Sequence, residues 1–159
     1  MHRVDQSVLV SHSAEELFRL VDDVENYPQF LPWCGGTTLK IRDDKITEAA
    51  IMINFHGIKQ SFTTRNEKTF PSRMDVKLVD GPFKQLQGHW NFHALGEHAC
   101  KVELVLEYEF ASKWLEKIIG PVFSRIAGSL MDAFVRRADS HHAAKYRRLA
   151  RYRSRVCDA

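Results

Sequence analysis

Between Cys100 and Phe110 every second residue is apolar: Cys100, Val102, Leu104, Leu106, Tyr108 and Phe110. Lys101, Glu103, Glu107 and Glu109 dominate the opposite parity. Alternation at period two marks a strand with one buried and one wetted face. The preceding segment repeats it, with Leu86, Gly88, Trp90, Phe92 and Ala94 on one face and Gln85, Gln87, His89, Asn91 and His93 on the other. Two such strands in succession call for an antiparallel sheet, and its apolar face needs a cover. The cover follows directly. Trp114, Leu115, Ile118, Ile119, Val122, Phe123, Ile126, Leu130, Met131, Phe134 and Val135 keep a broad apolar stripe at helical spacing. Gly120-Pro121 predicts a kink or restart in that helix. Glu116, Lys117, Arg125 and Asp132 interrupt the stretch, so it reads as an amphipathic helix rather than a membrane span.

The first half of the chain fits the same plan. Val4, Gln6, Val8 and Val10 alternate and predict a first strand. Ser13-Ala-Glu-Glu16 has the form of a capping box, and Leu17, Phe18, Leu20, Val21 and Val24 follow at helical spacing. Pro28 predicts that this helix ends near Asn26. Tyr27 to Trp33 reads as a short helix or turn. Strands then follow around Leu39 and Ile41, through Ala49, Ile51, Ile53 and Phe55, through Phe62 and Thr64, and through Met74, Val76 and Leu78. Asp43-Asp-Lys45, His56-Gly57 and Pro71-Ser72 punctuate them. The order is strand, helix, about six strands, long helix, which is an α+β class. A sheet curled around one helix leaves space between them, and small domains seldom keep such space without a ligand.

At 159 residues the chain is long enough to bury a core without disulfides. Cys34, Cys100 and Cys157 are odd in number and far apart, which argues against a disulfide framework and for a reducing compartment. Met1 to Val10 has no apolar signal region. The charge is uneven. From Arg136 to Arg155 eight Lys/Arg face one acid, making +7 and leaving the remainder at −4 within a total of +3. We therefore divide the chain into a ligand-binding domain, 1–140, and a basic helical extension, 141–159. Arg147, Arg148, Arg151 and Arg155 recur at three- and four-residue spacing with Tyr146 and Tyr152 between them. Such a face suits RNA phosphates or an anionic membrane surface. Its plain alternative is a solvated helix end. With only Leu149 and Val156 as apolar partners, it would not insert deeply.

Catalytic chemistry is hard to find. His89 and His93 share a strand face but lie roughly 13 Å apart at the usual rise. His141 and His142 are adjacent on a helix, without cysteines at finger spacing. Cys34 lacks a neighbouring base and reads as a small apolar residue. Gly35-Gly36 lacks the lysine and helix of a phosphate loop. What the chain has instead is aromatics. They crowd two turn-rich segments, Asn26-Tyr-Pro-Gln-Phe-Leu-Pro-Trp-Cys34 and Gly81-Pro-Phe-Lys-Gln-Leu-Gln-Gly-His-Trp-Asn-Phe92. Gly81-Pro82-Phe83 is either a lip over a pocket or an ordinary hairpin loop.

The motifs Tyr27 to Cys34, Gly81-Pro82-Phe83 with Leu86, Gly88, Trp90 and Phe92, and Glu107-Tyr-Glu-Phe110 resemble the START-like, or helix-grip, superfamily. The likeness runs from about Arg3 to Ala138. It is greatest to the polyketide cyclase-like branch holding coenzyme Q-binding START-domain proteins and bacterial ribosome-association toxins. The resemblance implies a curved antiparallel sheet of about six to seven strands wrapped around a long C-terminal helix, with a hydrophobic pocket between. Candidate ligand-binding residues are Phe30, Trp33, Phe55, Phe62, Phe83, Trp90, Phe92, Phe123, Ile126 and Leu130, with Gln60 and Thr64 as polar contacts. The implied function is non-enzymatic. One arm binds ubiquinone or another polyprenyl lipid and supports respiration. The other associates with the large ribosomal subunit and blocks subunit joining. Neither arm implies a catalytic residue, a metal, or a cofactor beyond a bound prenyl lipid. A cyclase-like enzyme ranks last, and a buried His56 or Glu48 beside the pocket would reopen it. The expected location is the bacterial cytoplasm, with peripheral contact at the inner membrane. The sequence leaves the oligomeric state open.

Overall fold

The computed structural model describes the backbone of residues 1–157 and the side chains of 1–141. Strand β1 (His2–Val10) leads to helix α1 (Ala14–Asp22) and a 3₁₀ turn (Val24–Gln29). Six strands follow: β2 (Cys34–Arg42), β3 (Ile46–Phe55), β4 (Ile58–Thr69), β5 (Arg73–Asp80), β6 (Phe83–Gly96) and β7 (Ala99–Phe110). Helix α2 (Lys113–Cys157) closes the chain. The seven strands form one sheet in the order β1-β7-β6-β5-β4-β3-β2. Every pairing is antiparallel. This is the helix-grip arrangement that the resemblance implies.

The period-two reading holds residue by residue in β7, where all six even-numbered positions from Cys100 to Phe110 are buried. At the hairpin joining β3 to β4, His56 and Gly57 both take positive φ, 49° and 79°. That is the mirror-image turn whose twist matches the flanking strands. Asp43 Oδ1 accepts from the amides of Lys45 and Ile46, which fixes the β2–β3 turn.

Ser13 caps α1, its Oγ accepting from Glu16 N at 3.1 Å. The reciprocal half of the box does not form. The Glu16 carboxylate lies 2.9 Å from His12 Nδ1 instead. Replacing Ser13 with alanine is expected to cost about 1 kcal/mol, measured by urea unfolding. No loss would mean that the cap is redundant here.

The structure corrects three expectations. Helix α1 stops at Asp22, before Asn26, because Asp23 leaves helical geometry at φ −82° and ψ 62°; the Asp22 carboxylate accepts from Thr47 Oγ1 at 2.6 Å and Lys68 Nζ at 3.1 Å. The Asp23 amide then bonds Leu20 O, and the chain tightens into the 3₁₀ turn, which contains Pro28. Helix α2 runs on through Pro121, which removes one ladder bond without ending the helix. The apolar stripe of α2 is also narrower than its sequence implies. Ile119, Phe123, Ile126, Ala127, Met131, Phe134 and Ala138 are buried, while Trp114 and Ile118, one turn apart on their own row, face outward.

By length and composition, 113–141 of α2 is apolar enough to cross a membrane. In the fold it is the core helix across the concave face of the sheet. Besides a hydrogen bond between Ser124 and Tyr108 of β7, four polar ties reach it from the N-terminal part of the chain. His2 Nε2 meets Glu116 Oε1 at 2.7 Å, and Gln6 Nε2 donates to Gly128 O at 3.1 Å. Further along, His12 Nε2 lies 2.6 Å from Asp139 Oδ1, and Arg137 donates to Gln29 Oε1 at 2.8 Å. Arg147, Arg148, Arg151 and Arg155 lie outside the residues whose side chains are described.

Candidate functional site

The concave face of the sheet and the underside of α2 enclose a cavity of about 90 Å³. Six of the candidate residues line it: Trp33, Phe62, Trp90, Phe123, Ile126 and Leu130. Each arrives there by its element's period. Phe62 and Trp90 project from the inner parity of β4 and β6. Phe123, Ile126 and Leu130 repeat at three- and four-residue spacing on α2.

The other four lie elsewhere. Phe92 is buried, but it stacks parallel to Trp90 and packs its far side on Phe18 beneath α1. Phe83 stacks on Phe110 and meets Phe123 edge-on at 4.9 Å, filling the core rather than facing the void. Phe55 sits half-buried at the β3–β4 hairpin against the His56 ring. Phe30 lies on the outer side of Trp33, in a surface groove it shares with Arg136 and Arg137, and the Arg137 guanidinium covers its ring at 5.1 Å.

The rest of the lining is mainly aliphatic, from Val21, Ile51, Val76, Leu86, Leu104, Leu106 and Ala127, together with Tyr27, Asn66 and Phe134, none of which is among the candidate ligand-binding residues. Phe134 was already on the α2 stripe. Asn66 keeps the parity of Phe62 and Thr64, so following the alternation two residues further along β4 would have found it. Thr64 lines the cavity and Gln60 does not.

The wall is almost entirely apolar, and its few polar groups are informative. Trp33 Nε1 and Asn66 Oδ1 are buried without a hydrogen-bond partner. The Tyr27 hydroxyl donates to Val21 O. Burial, reinforced by the nearby Asp22 and Asp23 carboxylates, pushes the Tyr27 phenol far above its ordinary value. A folded-state pKa raised this way leaves its stabilisation intact below the unfolded value of about 10 and removes it as pH climbs above. The protein is therefore expected to lose stability above about pH 10. Phenolate absorbance should then rise together with unfolding, and Tyr27 titrating in the intact fold would contradict its burial. Burial likewise raises the thiols of Cys34 and Cys100, so neither is a ready nucleophile.

No Asp, Glu, His, Lys or Arg belongs to the cavity lining. His56 is exposed at its turn, and Glu48 pairs with Arg65 at 3.1 Å. Among the described residues, no group of three or more His, Cys, Asp or Glu is placed to hold a metal.

A profile described as polyketide cyclase/dehydrase and lipid transport matches residues 10–135. The chain belongs to this family. One relative is a ribosome association toxin of Vibrio cholerae, 45% identical over 138 residues. That match covers 87% of this chain and 96% of the relative. A mitochondrial coenzyme Q-binding protein of Schizosaccharomyces pombe is 27% identical over 146 residues, covering 86% of each chain. Among solved structures, a Streptomyces aromatase/cyclase superposes with a TM-score of 0.76 over 87% of this chain and 93% of its own. At 13% identity that likeness establishes the fold alone.

Proposed function

We propose that this protein binds an apolar ligand, with ubiquinone or a related prenyl quinone favoured, between the sheet and α2, and that it does so without catalysis in support of respiration. The observation that carries this reading is the cavity wall, which is aromatic and aliphatic and includes no acid or base. General acid–base catalysis needs such a group within hydrogen-bond reach. The name of the Schizosaccharomyces relative supports the ligand class.

At about 90 Å³ the cavity is smaller than the ~300 Å³ at which small-molecule pockets begin. Binding therefore requires the helix or the Trp33 side chain to give way. The test is organic extraction of purified protein followed by mass spectrometry. A stoichiometric prenyl quinone is expected, and it should disappear in a folded Leu130→Trp variant, whose larger side chain fills the void. Folded protein that yields no lipid and takes none up would sink the proposal.

The names of the more similar relatives favour a second reading, association with the ribosome, which we take to be with the large subunit, blocking subunit joining. Arg147, Arg148, Arg151 and Arg155 are its contacts in this reading. Neutralising the first three is expected to weaken co-sedimentation with large subunits and flatten its salt dependence, since phosphate contacts release counterions. Unchanged co-sedimentation would remove those arginines from the interface. Both readings place the protein in the bacterial cytoplasm, the first with peripheral contact at the inner membrane.

A further inference from the structure

We propose that Trp33 and Asn66 form a polar recognition pair inside the cavity, selecting a head group that both accepts and donates hydrogen bonds. A dihydroxy aromatic ring meets that demand, and the corresponding dione does not. The inference rests on the cavity being the ligand site.

Trp33 is 6% exposed and Asn66 8% exposed. Both line the cavity, Trp33 from the segment entering β2 and Asn66 from the inner parity of β4. Trp33 Nε1 and Asn66 Oδ1 are withdrawn from solvent, and neither has a partner. Native interiors leave few buried polar atoms unpaired, and a buried orphan carries its full desolvation cost. Two orphans on the wall of one small cavity are therefore best explained by something that enters it.

The chemistry of the two atoms is complementary. An indole N–H can only donate, and an amide oxygen can only accept. A head group serving both must offer an acceptor to Trp33 and a donor to Asn66. Each hydroxyl of a hydroquinone does either. A quinone has carbonyl oxygens alone, so it satisfies Trp33 and sets an acceptor against Asn66 Oδ1. The remainder of the wall offers little else, because the Tyr27 hydroxyl is already committed to Val21 and, apart from the Thr64 hydroxyl, the other side chains are apolar. In a water-excluded site, a missing hydrogen-bond partner discriminates more strongly than a missing methylene.

The test is anaerobic titration calorimetry of the full chain with decylubiquinol and with decylubiquinone. The quinol is expected to bind about tenfold more tightly or better. Asn66→Leu should collapse the ratio of the two affinities toward one, by weakening the quinol and relieving the acceptor set against the quinone. Trp33→Phe should weaken both ligands by a similar factor. The wild-type ratio stands as a test even where a variant fails to fold. Equal affinities in the wild type, with Asn66→Leu silent, would mean that the amide turns to suit each ligand or that water serves both atoms. That result overturns the recognition pair and leaves the ligand site standing. Failure of both compounds to bind would overturn the recognition pair and the ligand site together.

Discussion

Gly88→Ala is expected to lower the unfolding free energy by about 3 kcal/mol or more, at the upper end of what overpacking costs. A Cβ at this position would stand 2.1 Å from the Val105 carbonyl oxygen and 2.9 Å from Leu106 Cα. Both are backbone atoms of β7, so no side-chain rotation relieves the contact. Gly88 pairs with Leu106 on one side and with Val76 on the other. It sits where three strands meet, and a glycine inside a strand commonly marks such a close backbone approach. For a chain of this size the loss corresponds to a melting temperature lower by roughly 6–12 °C. Urea and thermal unfolding would measure it. A loss under about 1 kcal/mol would mean that β6 does not approach β7 as closely as the structure shows.

Phe123→Ala is the second large effect, at about 3–5 kcal/mol. Phe123 is 3% exposed, and its ring meets Tyr108 at 4.7 Å, Phe83 at 4.9 Å and Phe62 at 6.2 Å. Truncation removes the buried area of a ring and these edge-to-face contacts together. Phe123 also borders the existing cavity, so the space it vacates joins that void. The variant is thus expected to be less stable and more accommodating. A small apolar probe such as benzene should stabilise it against unfolding and leave the parent unaffected. Loss of stability with no response to the probe would show that the surrounding rings collapse into the gap.

The fold was legible because its periods are clean. From Cys100 to Phe110 parity alone separates core from surface, and Ser13 announces α1 with its own side chain. The errors arose where a long-range contact outweighed a local signal. Pro28 points to a helix end near Asn26, but the backbone leaves helical geometry at Asp23, next to an Asp22 carboxylate held by Thr47 and Lys68 of the sheet. Trp114 and Ile118 have apolar side chains, yet only the position of the sheet decides which row of α2 it covers. The candidate site was half legible for the same reason. Parity assigned Trp90 and Phe92 alike to the inner face, but α1 packs on one and the cavity opens beside the other. Gln60 and Asn66 share one parity of β4 and the same amide chemistry, and only the position of the cavity along the strand decides that Asn66 lines it.

The four side-chain ties of α2 to His2, Gln6, His12 and Gln29 all come from the beginning of the chain. Toward β4, contact is made by rings such as Phe62 on Phe123. Hydrogen bonds are directional and fail abruptly with angle, whereas apolar contacts slide and separate by degrees. Three of the ties lie along β1 and its exit, whereas the Arg137–Gln29 tie reaches the turn packed on β2, at the opposite edge of the sheet. Polar ties thus hold the helix toward both edges of the sheet, and between them, above β4 and the cavity, it rests on rings that can part by degrees.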